Sequence, residues 1–256
     1  AIFLCMGHGQ SGLFWEENSP LPEHLKIIDL SHDFRLKRPD NPFIYGLPEI
    51  NRQEIQQSSY IANPGCFATA IQLALLPLAQ QQVLKNEVHV HAITGSTGAG
   101  QKPMATTHFS WRNNNVSVYK AFKHQHLGEI GQSLQQLQNG FSQSINFIPV
   151  RGNFSRGIMA SVYTECDWTL EEAQVHYQDY YKSHPFVQMS DVNPDLKQVV
   201  NTNKGLLYLE KHDNKLLIIS MIDNLLKGAS GQAVQNLNLV AGWEETTGLK
   251  LKAIGF

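Results

Sequence analysis

The chain has 256 residues, 42% hydrophobic and 16% charged, a mix that can bury a core and excludes bulk disorder. Its net charge of −2 lacks the footprint of a nucleic-acid binder, and its best apolar stretch, 66–79, carries Gln72 and Pro77 and is too short for a membrane helix. Three widely spaced cysteines (Cys5, Cys66, Cys166) without a CxxC pair argue against a disulfide scaffold or structural zinc and for a reducing, cytoplasmic setting.

Residues 1–6 read as a buried strand closed by Gly7, Gly9 and Gly12. A second strand spans 26–30, and 39–48 reads as a Pro/Asn/Gly loop. After a strand at 59–62, Asn63-Pro64-Gly65-Cys66 opens an apolar helix to about residue 84. Alternation at 87–94 predicts a strand, followed by a small-residue loop at 95–100 and a strand at 116–122. Residues 127–137 have helical apolar spacing and stop at Gly140. Strands follow at 145–150 and 158–166, then a helix at 169–181 capped by Thr169. Strands at 199–203, 206–211 and 216–223 precede a last helix, 227–242, with Ala229, Ala233 and Leu237 as its buried stripe. The pattern predicts α/β plus α+β: a mixed-sheet domain inserted between parts of a doubly wound domain.

Gly7-x-Gly9-x-x-Gly12 follows a strand, and Asp29 ends the next one. That matches a dinucleotide fingerprint. Pro20 and Pro22, however, allow at most two helical turns after it, so the alternative is a plain glycine turn at a strand end, with a cofactor near it in either case or not at all.

Asn63 reads as an N-cap and Pro64 as the first helical residue, which puts Cys66 in the first turn. Amides and helix dipole there are expected to lower the thiol pKa. Cys5 and Cys166, in apolar strands, are expected to pack. His124 and His126 are candidate proton carriers, and Glu129, three residues beyond His126, could orient its imidazole. A His-x-His metal pair is the rival, but no third ligand stands at a familiar spacing, so no metal is expected.

Several motifs resemble the N-acetyl-gamma-glutamyl-phosphate reductase family. They are Asp29-Leu30-Ser31-x-Asp33-Phe34-Arg35, Tyr45-Gly46-Leu47-Pro48-Glu49, Asn63-Pro64-Gly65-Cys66, Gly95-Ser96-Thr97-Gly98-Ala99-Gly100 and His124-x-His126-x-x-Glu129-Ile130. Arg156-Gly157-Ile158 and the run from Asp223 to Asn238 continue the likeness along the whole chain. The resemblance implies an incomplete Rossmann NADP-binding domain with an inserted mixed-sheet catalytic and dimerisation domain, divided 1–66, 67–225 and 226–256. It also implies that the phosphate-binding glycine loop belongs upstream of Ala1.

The implied reaction is NADPH-dependent reduction of an N-acyl-γ-glutamyl phosphate, a small-molecule acyl phosphate, through a cysteine thioester. Cys66 would be the nucleophile and His126 the acid/base, with Glu129 steadying it and His124 as second candidate. Asn63, Ser96, Gly98, Gly100 and Arg156 would bind substrate; Arg112 and Arg151 are further nearby cations. Gly9, Ser96, Gly98, Asn224 and Gly228 would meet NADP(H). Neither nucleic acid nor membrane is an implied partner; a homodimer or homotetramer is. Gln101, Phe67, Gly128 and Val150 depart from the family pattern and leave the acyl group, acetyl or succinyl, open. Alternatives are a related acyl-phosphate reductase of aspartate-semialdehyde or aminoadipate type, a cofactor-free cysteine acyltransferase or hydrolase, and a non-catalytic oligomerising remnant.

Overall fold

The computed structural model describes residues 1–254, which form two sheets joined by a shared set of helices. Strands β1 (Ile2–Leu4), β2 (Ile27–Asp29), β3 (Ile44–Tyr45) and β4 (Tyr60–Ala62) make a parallel sheet in the order β1-β2-β4-β3. Helices α1 (Gln10–Asn18) and α2 (Pro48–Gln57) are among its connections. Ile27, Ile28, Ile61 and Ala62 are fully buried, as strands covered on both faces must be.

β1 departs from expectation. It is an edge strand paired with β2 alone, so Leu4 is buried while Ile2, Phe3 and Met6 remain exposed. Cys5 is exposed too, rather than packed. α1 runs nine residues, slightly beyond the two turns expected, and ends at Ser19 just before Pro20. The expected loop at 39–48 contains β3, and α2 begins at its end. Only Ile50 and Ile55 give α2 an apolar face, so its pattern is weak despite Pro48 and Glu49 at its start.

The second sheet comprises β5 (Val88–Thr94), β6 (Ser117–Val118), β7 (Ile145–Arg151), β8 (Ile158–Glu165), β9 (Val187–Met189), β10 (Gly205–His212) and β11 (Lys215–Ile222). Its order is β6-β7-β5-β8-β11-β10-β9, with parallel and antiparallel pairs. Helix α3 (Cys66–Gln80) packs on β8 and β11, with every residue from Phe67 to Ala79 buried. Helices α5 (His126–Leu137) and α6 (Leu170–Tyr181) flank it, and Thr169 caps α6 through a reciprocal bond with Glu172. A short α4 (Phe109–Arg112) lies in the segment before β6, and α7 (Gly231–Val240) returns to pack on α2 and β2.

Left-handed residues explain several shortened elements. α3 stops at Gln80 because Gln82 has φ 59°, and the strand expected at 116–122 shrinks to Ser117–Val118 because Lys120 and Phe122 have φ 47° and 59°. Asn201, φ 67°, lies in a turn where a strand was expected at 199–203. The 95–100 loop contains a 3-10 turn, Ser96–Ala99. The expected last helix divides into a π-turn, Leu226–Ser230, and α7. Its buried stripe is also different: Gln232, Gln235 and Asn236 are buried beside Ala233, while Ala229 and Leu237 are half-buried.

Candidate active site

Cys66 opens α3 at the carboxyl end of β4, but Gly65, not Asn63, is the N-cap residue. Asn63 serves differently. Its Nδ2 donates to the Ala229 carbonyl (3.0 Å), and its Oδ1 accepts from Asn236 Nδ2 (3.1 Å), which ties the turn to the start of the last helix. Gly65 is required sterically. A Cβ there would lie 2.4 Å from His126 Nε2 and 2.7 Å from an Arg35 nitrogen. The imidazole therefore lies directly over the residue preceding Cys66.

Glu129 does not hold His126 by a hydrogen bond; their nearest atoms are 3.9 Å apart. Its Oε1 instead accepts from Arg35 (3.0 Å), and its Oε2 accepts from the Tyr45 hydroxyl and the Gly65 N–H, each at 2.9 Å. Gln72 Nε2 donates to that hydroxyl. Arg35 also donates to the carbonyls of Asn63 and Leu30, both at 2.9 Å. Glu129 is thus a clamp that fixes α5 to the first turn of α3. Arg35 and Tyr45 complete it; both lie inside quoted motifs, yet sequence reasoning gave them no role, because only the fold shows what they touch.

His124 and His126 are both buried, their rings 4.5 Å apart, with Phe67 edge-on to each. Burial, and for His126 the nearby Arg35 charge, lowers each pKa to about 3. Both are neutral near pH 7 and can accept a proton. His124 Nδ1 accepts from the His126 backbone N–H (3.2 Å), so its own ring proton sits on Nε2. His126 Nδ1 has no hydrogen-bond partner among the described residues.

The thiol departs from expectation. Burial pushes the Cys66 pKa up, and the Phe67 amide and the Arg35 charge offset this only in part. The thiol is therefore neutral at rest, and a base must take its proton.

The other expected residues are mostly engaged within the protein. The amides of Ser96, Gly98 and Gly100 donate to the carbonyls of Phe154, Gly95 and Thr97, so they do not face a ligand as anticipated. Arg112 spends its donors on the carbonyls of Thr106, Asn115 and Arg151 and on Ser117. Arg156 pairs with the buried Asp223 at 2.9 Å. The Gly9 and Gly12 amides hold the Asp33 carboxylate, and Asp29 is bound by Ser11 and Ser31, which leaves neither available as a fingerprint. Gly228 packs on Cys66 itself, where a Cβ would lie 2.7 Å from Cys66 Cβ. Asn224 accepts from the Gly157 N–H and donates to Thr97 Oγ1, keeping one Nδ2 proton. An open cavity of about 1130 Å³ is lined by residues between Ser96 and Trp111 and not by Cys66, His124 or His126. At the surface, His8, His32 and Asp33 each bring one potential ligand atom to within 4.8 Å of the others.

Comparison with known proteins places the chain in a family and a fold. Residues 1–58 match the semialdehyde dehydrogenase NAD binding domain, and residues 66–224 the semialdehyde dehydrogenase dimerisation domain. The N-acetyl-gamma-glutamyl-phosphate reductase of Parabacteroides distasonis is 61% identical over 255 residues, covering 100% of this chain and 79% of that protein. Its namesake from Flavobacterium johnsoniae is 59% identical over 259 residues, with the same coverage. Aspartate semialdehyde dehydrogenase II of Vibrio cholerae shares the fold, with TM-score 0.70 at 18% identity over 94% of this chain and 79% of that one. The two matched domains of this chain are those of a semialdehyde dehydrogenase, and on sequence the chain belongs to the N-acetyl-gamma-glutamyl-phosphate reductase family.

Proposed function

We propose that the chain reduces an N-acyl-γ-glutamyl phosphate to the N-acylglutamate 5-semialdehyde with NADPH, a step of arginine biosynthesis. The observation that carries the reading is Cys66 at the first position of α3, with neutral His126 over Gly65. His126 Nε2 takes the thiol proton. The thiolate attacks the acyl carbon, the carbon–oxygen bond to phosphate breaks, and phosphate leaves with the electron pair. The first-turn amides of α3, which have no intrahelical acceptor, stabilise the oxyanion that forms on the way to the thioester.

The sheet fits a dinucleotide at the carboxyl ends of β1, β2 and β4, the end at which Cys66 sits. Asn224 would hold a carboxamide. Gly98 lies beside its Nδ2, where a Cβ would come to 3.9 Å. Gly9, Ser96 and Gly228 would line the same approach by their position rather than through free amides. NADPH, when bound, supplies hydride to the thioester carbonyl. As the carbon–sulfur bond breaks, His126 returns the proton to sulfur.

Asn63, Gly100 and Arg156 act by holding the loops around substrate. The half-buried apolar face of the second sheet, Met159, Leu206, Tyr208 and Leu217, supports self-association as a homodimer or homotetramer. No described helix is long and apolar enough to cross a membrane, and a cytoplasmic location is part of the proposal.

The test is the reverse reaction: NADP reduction by N-acylglutamate 5-semialdehyde with and without inorganic phosphate. Phosphate-dependent NADPH formation, abolished in Cys66→Ser, is the expected result. No NADPH from folded wild-type protein with either the acetyl or the succinyl substrate overturns the reading.

A further inference from the structure

The two halves of the core meet at β5 and β7, which pair in parallel with Val88 opposite Ile145, Val90 opposite Phe147, Ala92 opposite Pro149 and Thr94 opposite Arg151. Partners in such a register point to the same face of the sheet. Val88, Val90 and Ala92 bury their side chains against the helical layer, and Phe147 and Pro149 continue the stripe. At the carboxyl end of this face the apolar pattern stops, and a hydroxyl and a guanidinium replace it.

Thr94 is 1% exposed and Arg151 8%. Thr94 Oγ1 and Arg151 NH1 are both buried without a hydrogen-bond partner among the described residues. A buried charged donor left unmatched costs stability, so it is retained where something else supplies the acceptor. No ion pair to Arg151 occurs among the described residues. A like charge lies close by: Arg112, whose NH1 donates to the Arg151 carbonyl, has its pKa lowered by burial and then by Arg151. The guanidinium lies 4.6 Å over the Tyr119 ring, and the Tyr119 and His124 rings are 5.9 Å apart, so the pair abuts the histidines beside Cys66. Gly98 keeps the hydroxyl reachable, for a Cβ there would crowd Thr94 Oγ1 at 3.2 Å.

We infer that Arg151 and Thr94 form an anion subsite beside Cys66 that takes a carboxylate or phosphate oxygen of the substrate. The inference deepens the proposed function and rests on it for the identity of the anion. Of the three cations considered from sequence, Arg112 spends its donors within the protein and Arg156, although its Nε is also unmatched, has its charge paired with Asp223, whereas Arg151 has an unmatched NH1 and no ion pair among the described residues. An acyl-phosphate substrate of this class offers the α-carboxylate, the phosphate and, if the acyl group is a dicarboxylic one, a second carboxylate.

The experiment compares wild type, Arg151→Gln and Arg151→Lys in the reverse reaction, with folding checked by circular dichroism. KM is measured for phosphate and for the N-acetyl and N-succinyl semialdehydes. Arg151→Gln is expected to raise one KM by about tenfold or more, the loss of one charge-assisted hydrogen bond, with kcat much less affected; Arg151→Lys recovers part of it. A rise for phosphate identifies the leaving group, an equal rise for both semialdehydes the α-carboxylate, and a rise for the succinyl substrate alone an acidic acyl tail. A second readout does not need turnover. Phosphate, N-acetylglutamate or N-succinylglutamate is expected to raise the wild-type Tm and to lose that effect in Arg151→Gln. Unchanged KM values and unchanged ligand-induced Tm shifts in the folded variant overturn the subsite. Absence of NADPH in wild type, with the Tm effect still dependent on Arg151, overturns the reaction instead.

Discussion

Cys66 illustrates how two familiar influences on one thiol are weighed. The helix-start amide and the Arg35 charge favour the thiolate, but desolvation of the half-buried side chain prevails. Iodoacetamide labelling of Cys66 in free protein is therefore expected to stay slow at neutral pH and to climb only above pH 9; a plateau below pH 8 contradicts this. The histidines set an acid limit. His126 has an ordinary value of 6.5 and about 3 in the fold, so between these values the unfolded chain binds the extra proton. Its contribution is complete above pH 6.5 and is lost as pH falls toward 3. At about 1.4 kcal/mol per pH unit, lowering pH from 6.5 to 5 costs about 2 kcal/mol through His126. Tm measured over this range should fall, and His126→Phe should flatten the slope.

Helices in this fold are positioned by groups that close one another's unsatisfied ends. Pro77 sits inside α3 and has no N–H to give to the Leu73 carbonyl; the Tyr181 hydroxyl of α6 donates to that carbonyl instead, at 2.6 Å. Tyr181→Phe should cost about 1–3 kcal/mol in urea unfolding because the carbonyl is then buried unmatched. Glu129 works likewise between α5 and α3. Glu129→Gln leaves the Arg35 charge without its carboxylate, and a loss of about 3–5 kcal/mol is expected, with kcat reduced because the Gly65–Cys66 turn loses its anchor. A smaller loss with unchanged kcat would show that the clamp is dispensable. The π-turn before α7 is equally constrained. Gly228→Ala puts a methyl against Cys66 Cβ and should reduce kcat more than it reduces Tm.

Across the molecule, one buried ion pair joins the two sheets' helices. Lys227 in the π-turn is fully buried; its Nζ donates to Glu49 of α2 at 2.8 Å and to Gln232 and Gln235 at 2.7 and 2.9 Å. This explains the buried amides of α7, which an amphipathic reading assigns to solvent. Lys227→Met strands the Glu49 carboxylate in the interior, and a loss of about 3–5 kcal/mol is expected. If Lys227→Met with Glu49→Leu restores most of the stability, the cost lies in the unmatched charge and not in volume.

The reaction class was legible through a family resemblance carried by motifs contiguous in the chain, such as Asn63-Pro64-Gly65-Cys66 and His124-x-His126-x-x-Glu129. Much of the second sheet was legible for a related reason, since alternation in β5, β8 and β10 marks one covered face. What each polar group touches could not be read. Glu129 has His126 within helical reach in sequence, yet Arg35, Tyr45 and Gly65 arrive from other segments and take its oxygens. Arg112, Arg151 and Arg156 are equivalent as letters; only the packing spends Arg112 on carbonyls, pairs Arg156 with Asp223 and leaves Arg151 without an ion pair among the described residues. Sequence fixes the chemistry available at a position, because that is a property of the side chain. Which partners satisfy it depends on contacts between residues distant in the chain, and those exist only once the tertiary structure has formed.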